Sequence, residues 1–213
     1  MIDGPTTARI VATRRQLHGI AECVMAGPQR RAGGLLTLRV TPGGFATTGG
    51  PAVRLDGAEL VIDEARRVPV AGDFHSVAEA VGVHFGPPPD GYSDGSGARA
   101  EDVLSLDLGA AELIAQWYLL SDAALRVLAP EQTPILWPEH FDVAILVDNT
   151  SIGSSPGDDF HARPYAYVSS RDHGPAPYWN APFGAVVSHE QIGGLDDLVG
   201  FWRQGQELLR AGG

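Results

Sequence analysis

Apolar positions along the chain repeat in two ways, at three- to four-residue spacing and at every second residue, and these alternate in blocks. Ile10, Leu17, Ile20, Ala21 and Val24 follow the first spacing and predict a helix over 6–25, with Gly27-Pro28 as its stop. Residues 35–40 alternate, and Thr41-Pro42-Gly43-Gly44 turns the chain into Phe45-Ala46-Thr47. Val53-Arg54-Leu55 and residues 59–62 flank Asp56-Gly57, a short hairpin signal. Ser76 with Glu79 makes a capping-box pattern for a helix over 77–83.

The second half repeats this order. Asp107 precedes a long stripe of Leu108, Ala111, Ile114, Trp117, Tyr118, Ala124, Leu125 and Leu128, so a helix is predicted to about Leu128, ended by Pro130 and Pro134. Strands are predicted over 142–148, around Ile152, over 164–169 and over 184–190. A last amphipathic helix covers 195–209 through Leu195, Leu198, Val199, Trp202 and Leu209. Between the halves, 86–102 holds Pro87-Pro88-Pro89, Asp90-Gly91 and Gly95-Ser96-Gly97, a long loop. The expected fold is α+β, with antiparallel sheets and about four helices. It is a single unit over 1–213 with a subdivision into 1–85 and 103–213, and each half reads helix, strands, helix.

Composition narrows the chemistry. The 15 basic residues of the 213-residue chain are all arginine. Without lysine there is no Walker-type phosphate loop, no Schiff base with pyridoxal phosphate and no protein-kinase core. The net charge of −11 opposes nucleic-acid phosphates. The densest basic stretch, Arg9, Arg14, Arg15, Arg30 and Arg31 with Glu22, reads as the solvated face of a helix. A single cysteine, Cys23, makes neither an internal disulfide nor a thiolate cage, and inside an apolar helix it reads as a core residue. The start, Met1-Ile2-Asp3-Gly4-Pro5, has no basic region followed by an apolar run, and no apolar segment reaches membrane length. The expectation is a cytoplasmic protein with no membrane and no nucleic-acid partner.

Candidate chemistry gathers between Trp137 and Phe183. His140-x-Asp142 leading into a strand, with a later histidine, has the composition of a two-histidine, one-carboxylate iron site; His189 is the best third ligand and His161 the next. Glu139, Asp158, Asp159 and His161 form a second set, of hard oxygens with one imidazole. Fe, Zn or Mn is the implied divalent metal. Ser155-Pro156-Gly157-Asp158 also reads as a plain turn, in which the aspartates are loop charges. Gly153-Ser154-Ser155-Pro156-Gly157 fits a nucleophile elbow in letters only, because Pro156 has no N–H for an oxyanion hole. The aromatic group Trp137, Phe141, Tyr165, Tyr167, Tyr178, Trp179 and Phe183 reads either as core or as pocket wall. In the pocket reading Arg163 and Asn180 fix a ligand, and Tyr165 and Trp179 contact it.

The succession Pro138-Glu139-His140-Phe141-Asp142, Ser155-Pro156-Gly157-Asp158, Pro164-Tyr165-Ala166-Tyr167 and Trp179-Asn180-Ala181-Pro182-Phe183-Gly184 resembles a family of uncharacterised actinobacterial proteins. The resemblance is best from Trp137 onward, and residues 41–47 look like that family's N-terminal half. No activity is known for the family, so the resemblance implies no mechanism. Two readings follow. One is a small-molecule enzyme with a divalent-metal site around His140, Asp142, Asp158 and His161. The other is a non-catalytic homodimeric domain, in which Trp179 supplies the contact and the Val143, Ile145 and Val147 face of a strand is covered by a second copy.

Overall fold

The computed structural model of the chain describes residues 4–89, 92 and 95–211. Its centre is one ten-stranded antiparallel sheet made of two meanders that meet edge to edge. The first meander is β1 (Leu38–Thr41), β2 (Gly44–Thr47), β3 (Val53–Asp56), β4 (Glu59–Ile62) and β5 (Arg66–Pro69). The second is β8 (Ile135–Trp137), β9 (Asp142–Val147), β10 (Thr150–Ser155), β11 (Tyr165–Ser169) and β12 (Gly184–Ser188). They join where Leu38 of β1 faces Leu136 of β8. A separate ribbon pairs β6 (Ala71–Asp73) with β7 (Val103–Ser105). The α+β class expected from the pattern is the class observed.

Each half therefore carries five meander strands where the sequence suggests about four. The strand missed in the first half is β5, Arg66-Arg67-Val68-Pro69, whose one buried side chain is Val68. A strand at the sheet edge buries little and tolerates proline, so its hydrophobic signal is weak. The hairpin at Asp56-Gly57 forms as expected, with Leu55 opposite Leu60. Asp148 and Asn149, both at positive φ (49° and 63°), make the tight turn between β9 and β10.

Helices cover one face of the sheet. α4 (Leu108–Leu128), capped by the Asp107 side chain on the Ala110 N–H, crosses the junction of the meanders and touches β1, β2, β9 and β10. α5 (Leu195–Ala211) lies on β11, and α3 (Phe74–Val81) is capped by Asp73 rather than by Ser76. Val143, Ile145, Ile152, Ala166 and Val168 point at these helices and belong to the main core. The valine and isoleucine face that suggested a second copy is thus already covered within the chain.

The first helix does not stop at Gly27-Pro28. α1 (Thr7–Gly19) passes into a π-helical segment (Ile20–Ala26) and then α2 (Gly27–Arg31). The wider turn bonds the Gly27 N–H to Glu22 O. Cys23 O then has neither Gly27 nor the donorless Pro28 as a partner, and it accepts from Gly86 N–H at 3.0 Å instead. Ser96 is tied to the same turn, since its N and Oγ both donate to the buried Glu22 carboxylate, at 2.7 and 2.5 Å.

Candidate functional site

β-Strands place successive side chains on opposite faces, so the residues between those of the core point away from α4 and α5. On the second meander these are Asp142 and Ala144 of β9, Ser151, Gly153 and Ser155 of β10, and Tyr165, Tyr167 and Ser169 of β11. Of these, Asp142, Ser151, Ser155, Tyr165, Tyr167 and Ser169 line a cleft of about 990 Å³. Its other walls are Arg14, Arg15 and His18 of α1, the Glu139–Phe141 turn, the loop at Gly157–Phe160, Phe183 and Gly95-Ser96.

α4 holds this arrangement from behind. Trp117 Nε1 donates to Ser155 O at 3.0 Å, and Tyr118 Oη donates to Phe141 O at 2.5 Å. Phe141 stacks on His18 and meets Phe45 and Tyr118 edge-on. Its φ is 52°, a region a bulky residue enters only under strain. The burial of its ring offsets that cost, and the kink turns the chain sharply just before β9 begins. His18 Nε2 donates to Pro138 O at 2.7 Å, and burial lowers the pKa of its imidazole, keeping it neutral.

Asp142 stands at the start of β9 and is 7% exposed. Tyr167 Oη donates to its Oδ2, while its Oδ1 has no hydrogen-bond partner. Burial raises the carboxyl to about 6, against the opposing effects of the Tyr167 hydrogen bond and His140. Tyr167 Oη sits close to Gly153, where a Cβ would meet it at 2.8 Å and Val143 O at 2.5 Å. Tyr165 Oη donates to Asp158 Oδ2 at 2.5 Å, and Phe160 stands edge-on to both Tyr165 and Phe183.

Of the residues the sequence singled out, the structure brings His140, Asp142, Asp158 and Tyr165 to this cleft. They do not form a metal centre. Among the described residues no three His, Cys, Asp or Glu side chains gather as ligands. Asp158 spends Oδ1 on the N–H groups of Phe160 and His161 and Oδ2 on Tyr165, so its role is the turn. The left-handed Gly157 (φ 103°) belongs to the same turn. His161 Nδ1 donates to Arg163 O at 2.8 Å. His189 follows Ser188, which faces Tyr165, and so falls on the opposite side of the sheet, with its ring edge-on to Trp117. There its Nδ1 lies 3.2 Å from the Glu190 carboxylate, without the alignment of a hydrogen bond. His140 does not share a face with Asp142 by strand alternation, because the kink at Phe141 precedes the strand.

The expected ligand fixers are also occupied elsewhere. Arg163 pairs with Glu190 and donates to Thr7 Oγ1 at 3.3 Å. Asn180 accepts from Val186 N at 2.8 Å and donates to Val186 O at 3.0 Å, so its amide covers the open edge of β12. Trp179 packs on Tyr178 and stacks on His173 of its own chain.

Arg14 is a cleft residue that the charge pattern misplaced. It is 7% exposed, and Nη1 donates to Ala162 O at 3.4 Å and Asp158 O at 3.5 Å. The signal was present, because Arg14 lies four residues after Ile10 and three before Leu17, inside the apolar stripe. Tyr167, one of the aromatics read as core or pocket wall, lines the cleft, and Ser151 and Ser155 join Asp142's face through the strand pairing. Cys23 is buried, and burial pushes its thiol up to about 12, which fits a core residue.

No helix among the described residues is long and apolar enough to cross a membrane. In comparisons with known proteins, no family model, curated protein or solved structure matches the chain.

Proposed function

We propose that the protein binds a small molecule in the cleft on the outer face of the second meander, and that Asp142 is the residue that anchors it. The carrying observation is the Asp142 carboxylate: it lines the cleft, is buried, and keeps one oxygen without a donor. An unpaired buried acceptor costs about 1–3 kcal/mol, so a ligand donor at this point recovers free energy that the empty fold gives up. The cleft is in the size range of small-molecule sites, and Phe160, Tyr165, Tyr167 and Phe183 give it aromatic walls beside its charged groups.

The metal-dependent form of this reading finds no support in the donor geometry, since Asp158, His161 and His189 have other partners or another face. A homodimer through the aromatic loop is less favoured, because Trp179 is already engaged by His173 and Tyr178. The test is a ligand-detected NMR screen of a polar fragment library against wild type, Asp142→Asn and Gly153→Ala. The reading expects hits that weaken in both variants. A screen with no hits, or hits that bind all three proteins alike, overturns it.

A further inference from the structure

Resting on that reading, we propose that the cleft's occupant is an organic cation bearing N–H donors, a primary ammonium or a guanidinium, held by the Asp142 carboxylate against the aromatic wall of Phe160, Tyr165 and Tyr167.

Three observations converge. First, the open requirement at Asp142 is for a donor: Tyr167 serves Oδ2 and nothing serves Oδ1. Oδ1 is covered, but χ2 of an aspartate is a broad torsion, and a modest turn presents this oxygen to the cleft. Among the described residues no arginine fills the role. Arg14 has Nη1 on the carbonyls of Asp158 and Ala162, and Arg163 pairs with Glu190. Second, the walls carry four carboxylates, Glu139, Asp142, Asp158 and Asp159, against the guanidiniums of Arg14 and Arg15. A cleft with this balance concentrates cations. Third, the rings next to Asp142 form a continuous series. Tyr167 and Tyr165 lie 6.3 Å apart, Tyr165 and Phe160 6.1 Å, and Phe160 is 48% exposed at the rim. Aromatic faces beside a buried carboxylate attract an organic cation through the ring quadrupole, and attract a neutral or anionic isostere less or not at all.

The experiment is calorimetric titration with three matched probes, phenethylammonium, 2-phenylethanol and phenylacetate, on wild type, Asp142→Asn and Phe160→Leu. The expected result is that phenethylammonium binds at least about tenfold tighter than either other probe. Asp142→Asn removes that preference, weakening phenethylammonium more than it weakens 2-phenylethanol. Phe160→Leu, at an exposed ring, weakens the ammonium about two- to fivefold. Tighter binding of the alcohol or the carboxylate, still sensitive to Asp142→Asn, overturns the cationic ligand and leaves the cleft as a binding site. Absence of binding by all three probes at millimolar concentration, or binding indifferent to both substitutions, overturns the ligand class and the site together.

Discussion

The two meanders present the same kind of outer face to solvent and equip it in opposite ways. On the first, Arg54 and Arg67 form ion pairs with Asp56, Glu59 and Glu64. Arg67 reaches Asp56 at 3.0 Å and Glu59 at 2.8 Å, and Arg54 reaches Asp56 at 3.3 Å. The Arg67 hydrogen bond, with help from Arg54, holds Asp56 below the usual carboxylate range. Every charge in that group has a partner within the chain, and water reaches it freely. On the second meander the carboxylate is Asp142, buried, raised rather than lowered, and short of one donor. A surface that satisfies itself needs no ligand. A surface that withholds one donor from a buried acceptor is less stable for it, and that deficit is what a binding partner can relieve.

The contrast can be tested through stability. The largest effect is expected from Phe141→Ala, which removes the ring that packs on His18, Phe45 and Tyr118; a loss of about 3–5 kcal/mol in urea unfolding follows from the cavity. The native φ of 52° makes the position unfavourable for alanine too, so Phe141→Ala gains nothing back from the backbone.

Next is Asp142→Asn. The folded carboxyl titrates near 6, against 3.8 for the ordinary group, so between these values the folded chain binds more protons than the unfolded one. Wild-type stability therefore falls as pH rises from about 4 to about 6, and the cost is fully present above that window. The titratable groups that act on Asp142 are Tyr165 and Tyr167 of β11, Asp158 of the β10–β11 loop and His140 just before β9 from the cleft side, and Tyr118 of α4 from behind. Asp142→Asn is expected to be more stable than wild type at pH 8, with the gap closing toward pH 4. Thermal melts across that range check it, and a variant less stable than wild type at pH 8 would break the comparison.

Gly153→Ala comes third. Its Cβ lands 2.5 Å from Val143 O and 2.8 Å from Tyr167 Oη, so overpacking is expected to cost about 1–3 kcal/mol and to displace the tyrosine that holds Asp142. The smallest effect is expected on the other face. Arg67→Gln breaks two exposed ion pairs, and the melting temperature should stay within the error of the measurement in moderate salt. A clear loss there would show that the first face depends on its charges more than their exposure suggests.

Much of the scaffold was legible without coordinates. The α4 boundaries, the Asp107 cap, the Asp56-Gly57 hairpin and the strands on either side of Asp148 all follow from spacing and turn chemistry acting within a few residues. The continuation of the first helix through Gly27-Pro28 was not, because it depends on Gly86, distant in sequence, accepting the role of donor to Cys23 O. For the site, the sequence marked Asp142 and Asp158 but grouped them with His161 and His189 by residue type, and it set Tyr165 with Arg163, Trp179 and Asn180. Which face of the sheet His189 takes depends on the register of β12 against β11, and no local pattern encodes that register.

Composition, periodicity and turn residues determined by themselves that this chain is an acidic, lysine-free α+β protein with two successions of helix and antiparallel strands. They also placed a chemically dense stretch at the start of β9 and around the β10–β11 loop. Only the tertiary structure decided that the valine and isoleucine face of β9 goes to the helices, that Arg14 is buried, and that Asp142 keeps an unpartnered oxygen beside a cleft. The reason is physical: hydrophobic spacing and capping act over a few residues, whereas whether a polar atom is satisfied depends on everything that packs around it, from any distance along the chain.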